Sequence, residues 1–330
     1  MQRRTLLAGT AGGIIAAALP AWARADAGTP GAIEQALQHF GAITANTAVC
    51  LRIQRQGGAA RQYAHQADQP LFVGSAVKTF ILAQYLKEVE AGRQSEDMQV
   101  GIGPEVWSPG SPVFIKLQGT TAAKSVLEAM ISHSDNTATD AALKAVGPDS
   151  VRALIQQSGL RATRIPDSTR ILFSYLAGAP DGTDLGWQGM EQLQAGHYPG
   201  APRSPMNERQ TMQSTAAEMA QWYEQVLAGK VFREAGTLAE FKRISAMADA
   251  MPMMVPPDIM AYGKGGSIDW EGFHCFCGAG QMVQPTQRTS FCFIVNWQGP
   301  DESVPKMFTM FAERSRAVLA LVAGQSNPAA

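Results

Sequence analysis

The stretch Val73-Gly-Ser-Ala-Val-Lys-Thr-Phe80 decides how the rest of the chain is read. Ser75 and Lys78 stand at i and i+3, and a run with helical period follows: Phe80, Ile81, Leu82, Tyr85, Leu86 and Val89. With Ser75 opening that helix, Lys78 lies one turn along on the same face, its ammonium near the Ser75 hydroxyl. A serine hydroxyl is a poor nucleophile at its own pKa. A lysine desolvated enough to lose its proton can take the hydroxyl proton, and the helix N-terminus favours the oxyanion that develops. A capping serine followed by a solvated lysine has the same letters, so the stretch gains meaning only from its surroundings.

Upstream, Ile33, Ala36, Leu37 and Phe40 form an apolar stripe that predicts a helix over 31–43. Thr47 to Arg55 alternates, with Val49, Leu51 and Ile53 on one face; Gln56-Gly57-Gly58 is a turn, and Arg61 to His65 is a returning strand. Downstream of Gly92 comes a polar loop, then Trp107-Ser-Pro-Gly-Ser-Pro112, which regular helix excludes. Thr121 is expected to cap a helix carrying Val126, Leu127, Met130 and Ile131 that ends at Ser134-Asp135-Asn136. Two more helices are predicted, from Thr137 to Val146 and from Gly147-Pro148-Asp149 to Gly159. Residues 161–210 are rich in Gly, Pro and polar residues without sustained periodicity, which predicts a long loop. Helices are expected over Ser214 to Leu227 and Thr237 to Ala250. The runs Ala261 to Ser267, Phe273 to Val283 and Thr289 to Trp297 then read as an antiparallel meander, before a last helix over Pro305 to Val322.

The pattern is α+β. It predicts an α/β lobe from 26–79 and 211–330, with a helical lobe from 80–210 between them. Of 330 residues, 45% are hydrophobic and 17% charged, and the formal net charge is -1. That balance gives no electrostatic case for nucleic acid or an anionic membrane surface as partner. Arg3-Arg4, an apolar run from Leu6 to Leu19 and Ala23-Arg24-Ala25 read as a twin-arginine signal peptide cleaved after Ala25. The expectation is therefore a periplasmic or secreted protein that meets the twin-arginine export machinery, without a membrane segment in its mature form and monomeric. Cys50, Cys275, Cys277 and Cys292 all fall in strand-like runs and read as buried structural residues of unknown pairing. Cys275 and Cys277 share one face of a strand and cannot easily bridge each other. No histidine pair stands at ligand spacing, so neither a metal nor another cofactor is expected.

Three motifs stand in one order: Ser75-Ala-Val-Lys78, Ser134-Asp135-Asn136 and Lys264-Gly265-Gly266. Together with Trp107-Ser-Pro, the segment Thr120 to Asp140, Thr163-Arg164 and Ser214-Thr215-Ala216-Ala217, they resemble the class A β-lactamases and penicillin-binding proteins. The resemblance implies an antiparallel five-stranded sheet flanked by helices plus an all-α lobe, with Ser75 between them. It implies Ser75 as the acylated nucleophile and Lys78 as its base or proton relay. Ser134 would pass a proton to the leaving amine, and Lys264 would supply positive charge near Ser134 and a substrate carboxylate. The N–H groups of Ser75 and Ser267 would form the oxyanion hole, and Asn136, Gly265, Gly266 and Trp107 would line the substrate. Asp135 is expected to hold its turn.

Two departures bear on mechanism. The glutamate that activates the deacylating water in this family falls on Thr169, its asparagine partner on Phe173, and 161–189 contains no glutamate. A threonine hydroxyl is too weak an acid–base group to replace a carboxylate. An insertion within about 175–208 carries Asp181, Asp184, Glu191 and His197, and Asp167 lies nearby; each is a candidate substitute base. Second, Gly265 stands where the family has a hydroxyl that binds the substrate carboxylate. It is expected to leave more room and one fewer donor, a loss of about 1.5–3 kcal/mol. The implied activity is acylation of Ser75 by a β-lactam or related amide or ester, with doubtful deacylation. The alternatives are a D,D-peptidase-like or esterase activity in which Lys78 also serves deacylation, and a sensor that stays acylated.

Overall fold

A computed structural model describes residues 31–324, so the predicted export signal at 1–25 lies outside the described residues. The chain opens with α1 (Ala32–Gly41) and the antiparallel pair β1 (Asn46–Arg55) and β2 (Arg61–His65). Gly57, at φ 71, turns the chain between them. Next come β3 (Leu71–Phe72), a 3₁₀ turn at Gly74–Val77 and α2 (Lys78–Glu90). The helical part follows: β4 (Gln99–Ile102), β5 (Gly119–Ala122), α3 (Ala123–Ser132), α4 (Asn136–Val146), α5 (Pro148–Gln157), α6 (Thr169–Leu176) and α7 (Gly186–Gln194). The chain returns through β6 (Gln213–Ser214), α8 (Ala216–Leu227), α9 (Ala235–Ser245) and α10 (Met251–Met254). The meander β7 (Met260–Trp270), β8 (Phe273–Val283) and β9 (Gln287–Gln298) leads into α11 (Val304–Ala323).

The main sheet has five antiparallel strands in the order β2-β1-β9-β8-β7. Helix α8 covers one face, while α1 and α11 cover the other, where Phe40 meets Phe293 and Phe311. Burial on both faces explains why Phe291 to Val295 is continuously apolar rather than alternating. Helix α2 is buried at every residue from Lys78 to Leu86, so its apolar period is a minor signal; it touches α4, α5, α9 and β7. Its position is anchored just upstream. Asn296 of β9 accepts from Phe72 N and donates to Phe72 O, both at 2.9 Å, imitating a peptide pairing two residues before the 3₁₀ turn. Buried apolar side chains of sheet and helices form one continuous cluster.

Three expectations are corrected. Residues 161–210 are not a bare loop. Helix α6 is capped by the Ser168 hydroxyl on Ile171 N, and α7 buries Met190 and Leu193 in a small core of its own with Ala177. Both are too short for a period to emerge from the sequence. Thr121 does not cap α3; it pairs with Val100 between β4 and β5. The helix expected to reach Ala250 stops at Ser245, and a separate turn of helix with Pro252 in its first turn follows. The cysteines are buried, as read from the strand pattern; their pairing, left open there, resolves to four free thiols, and burial pushes the Cys50 thiol up to about 12. Among the described residues no helix is long and apolar enough to cross a membrane, and no group of side chains is arranged to hold a metal ion.

Candidate active site

The site grows from main-chain contact between the 3₁₀ turn and the edge strand β7. Gly74 sits at φ 53, and a Cβ there would lie 2.9 Å from both N and O of Ser267. A Cβ on Gly266 would collide with Val73 O and stand 2.8 Å from Ser75 N. Only glycine permits this approach at either position. It brings the 3₁₀ turn that carries Ser75 against the backbone of Gly266 and Ser267 on β7, the end strand of the main sheet. Ser75 is half-buried, Ser267 is exposed, and the Ser75 hydroxyl has no hydrogen-bond partner among the described residues.

Lys78 begins α2 fully buried, and its Nζ reaches Ser134 O at 2.6 Å, Asn136 Oδ1 at 2.7 Å and Ser134 Oγ at 3.3 Å. The hydrogen bonds of the amine thus go to the second motif, Ser134 and Asn136. Burial, and then the charge of Lys264, hold the amine well below the ordinary lysine range, against the pull of Asp135, Asp140 and Asp249. A neutral amine can donate its two N–H bonds to Ser134 O and Asn136 Oδ1. Its lone pair then remains for a hydroxyl proton.

The α3–α4 turn is built to present those acceptors. Ser134 has φ 56, a left-handed backbone that costs a non-glycine residue about 1–3 kcal/mol and marks a site where geometry matters more than ease. Asp135, completely buried, bears the turn as expected: Oδ1 accepts from Ala138 N at 2.7 Å, and Oδ2 from Val113 N and Phe114 N at 2.8 and 2.9 Å. Asn136 donates Nδ2 to Pro109 O at 2.6 Å, which orients its Oδ1 toward Lys78. Thr137 N donates to Ser111 Oγ and Ser108 N to Thr137 Oγ1, fastening the 107–112 segment to α4. Trp107, expected against the substrate, is instead packed into this segment. It is buried, its indole N–H donates to Leu117 O, and its ring meets Trp187 edge-on at 5.9 Å.

On β7, Lys264 is buried, donates to Gly265 O at 2.8 Å, and is pushed down to about 8 by desolvation. Gly265 does not leave the extra room expected of it. A Cβ there would lie 2.5 Å from Ala250 Cβ, so the segment between α9 and α10 occupies the place of the absent side chain. Lys264, Gly265, Gly266, Ser267 and Ser134 line one cavity.

The 161–210 segment contributes differently. Thr169 is buried, and its N–H donates to Asp140 Oδ1 at 2.6 Å, with Arg170 N on Oδ2 at 3.0 Å. Burial raises the Asp140 carboxyl to about 6. The candidate substitute bases are engaged elsewhere: Asp167 with Arg152 and Gln210, Asp181 with Gln210, and Asp184 with Arg170. Glu191 stands 3.9 Å from Lys116, and His197 faces Gln192. Among the described residues none is bonded to Ser75, Lys78, Ser134 or Lys264. Phe173 packs beside Trp270 at 6.2 Å. Sequence reasoning missed Asp140, Arg170 and Ala250. Asp140 had a signal, since it lies one turn from Asn136 on α4; the other two had none.

An α+β protein that brings a serine turn, a buried lysine, a strained second serine and a sheet-edge lysine together is of the β-lactamase/transpeptidase class. The family model for the beta-lactamase enzyme family matches residues 33–317, and the chain belongs to that family. Solved structures agree in fold. PBP-A is 18% identical, with 88% of this chain and 96% of that one covered and a TM-score of 0.65. The beta-lactamase from Sphaerobacter thermophilus is 18% identical over 88% and 98%, with a TM-score of 0.66. A beta lactamase from Burkholderia vietnamiensis is 17% identical over 91% and 100%, with a TM-score of 0.67. No curated protein matches.

Proposed function

We propose that this chain is a serine hydrolase acylated at Ser75 by a β-lactam or a related amide or ester. Lys78 takes the Ser75 proton as the hydroxyl oxygen attacks the carbonyl carbon, and the N–H groups of Ser75 and Ser267 receive the oxyanion. As the carbonyl–nitrogen or carbonyl–oxygen bond breaks, the proton passes from Lys78 through Ser134 to the leaving atom. Lys264 supports the charge at Ser134. The observation that carries the reading is the buried, deprotonation-prone amine of Lys78, bonded to Ser134 and placed directly after the Ser75 turn.

Deacylation falls to Lys78 itself, since no carboxylate of 161–210 reaches the catalytic groups among the described residues. That same observation favours a second reading, in which the acyl-enzyme persists and the protein acts as a sensor. The twin-arginine pattern supports export of the mature protein to the periplasm or outside the cell, where it would act as a monomer. Intact-protein mass spectrometry with benzylpenicillin and a chromogenic cephalosporin tests the reading. Wild type is expected to gain one acyl mass that Ser75→Ala lacks; an adduct on Ser75→Ala would end it. Steady product release marks an enzyme, and a single equivalent followed by a halt marks a sensor.

A further inference from the structure

The cavity beside Lys264 has a volume of about 180 Å³, and one wall is the catalytic one: Ser134, Lys264 and Ser267. The opposite wall comes from α10, α11 and β8 and consists of Met253, Met254, Phe276, Phe308 and Phe311. Met253 and Phe308 are 38% and 39% exposed, unusual for such side chains, and both line the pocket. Gly265 brings no hydroxyl, and Ala250 fills its place. The charged residues in the lining are Lys264, whose ammonium already donates to Gly265 O, and Asp249, a carboxylate that acts on Lys264. A carboxylate entering here would lose water to a methionine and phenylalanine wall, and the pull of Lys264 on it would be opposed by Asp249. A hydrocarbon group would lose nothing and displace about six waters' worth of space.

Building on the proposed hydrolase reading, we propose that this pocket takes an uncharged apolar substituent on the leaving side of the substrate, and that a carboxylate there is selected against. The leaving side follows from Ser134, the proton donor to the leaving atom, which forms part of the wall. The substrate class is thus an acyl compound whose departing amine, alcohol or thiol carries a short hydrocarbon group; penicillins and cephalosporins, with a carboxylate on the leaving side, are expected to acylate Ser75 about ten- to a hundredfold more slowly than such a compound.

The test uses phenylacetyl thioesters of two leaving thiols of matched shape, 3-methylbutane-1-thiol and 3-mercaptopropionate. Ser75 oxygen bonds to the acyl carbon, the carbon–sulfur bond breaks, and the serine proton leaves on the thiol, which a thiol reagent counts. The burst gives the acylation rate even where turnover stalls. Wild type is expected to be acylated about ten- to a hundredfold faster by the hydrocarbon thioester. Along an alkyl series, the rate is expected to rise about fourfold per buried methylene. Met253→Lys is expected to narrow or reverse the preference, and Phe308→Lys does the same if that variant fails to fold. Ala312→Phe, which narrows the cavity, is expected to flatten the chain-length series. Equal or faster acylation by the carboxylate thioester, with Ser75→Ala silent on both, overturns the pocket assignment and leaves the hydrolase reading standing. Thiol release by Ser75→Ala at the wild-type rate, or no Ser75 adduct from either thioester, overturns the hydrolase reading and the pocket with it.

Discussion

Two regions of this molecule bury charge, and they do it in opposite ways. Around Arg170 every charge is matched: the guanidinium meets Asp184 and the carbonyls of Pro104, Glu105 and Trp107, while Asp140 receives two main-chain N–H groups. Around Lys78 the charge is left unmatched. The amine has a hydroxyl, a carbonyl and a carboxamide about it, a second buried lysine acting on it, and, among the described residues, no carboxylate bonded to it. A satisfied buried ion stays ionised and holds structure. An unsatisfied one gives up its proton more readily, as the lowered pKa of Lys78 shows, and on the proposed reading it serves as the base. The strained backbone at Ser134 lies at the second region.

The comparison breaks most visibly at its reactive side. Lys78→Gln keeps an N–H donor for Ser134 O and Asn136 Oδ1 but removes the base, and acylation of Ser75 is expected to slow about a hundred- to ten-thousandfold in stopped-flow or mass-resolved kinetics. Arg170→Met probes the other side. It leaves Asp184 unpaired and three carbonyls without a donor, and calorimetry is expected to show a loss of about 3–5 kcal/mol. The pH dependence of acylation should stay where it was. A shifted profile would mean that the two regions are not separate.

A smaller effect is expected at the junction between them. Gly265→Thr restores the hydroxyl usual in the family but drives it into Ala250, costing about 1–3 kcal/mol in thermal or denaturant unfolding. Adding Ala250→Gly is expected to recover most of that loss. A pH-dependent effect of similar size concerns Asp140, whose carboxyl is raised from its ordinary 3.8 to about 6. A carboxyl raised in the folded state binds more protons there than when unfolded, so its contribution favours folding at low pH and is lost as pH rises through that window. Asp140→Asn is expected to flatten the stability curve between those two values, measured by unfolding at each pH.

Much of this was legible in the sequence because it rests on local chemistry. The hairpin at Gly57 and the meander follow from residue type and spacing, and the three motifs with Asp135 at its turn from the resemblance to the family. What stayed hidden depends on distant partners. Helices α6 and α7 are held by Ser168, by Asp140 and by a small separate core, none of which produces a period in eight or nine residues. Trp107 reads as an available aromatic until Trp187 is found against it. Gly265 reads as empty space until Ala250 fills it.

The central claim is that burial holds the Lys78 amine well below the ordinary lysine range and so makes it the base for Ser75. The most direct measurement is the titration of its side chain by nuclear magnetic resonance with labelled lysine, assigned by comparison with Lys78→Gln, beside the pH dependence of Ser75 acylation. The expected result is a midpoint well below the ordinary lysine value of 10.5, with the acylation rate rising along the same curve. An ordinary lysine midpoint, or a rate that rises at a pH unrelated to it, would contradict the account.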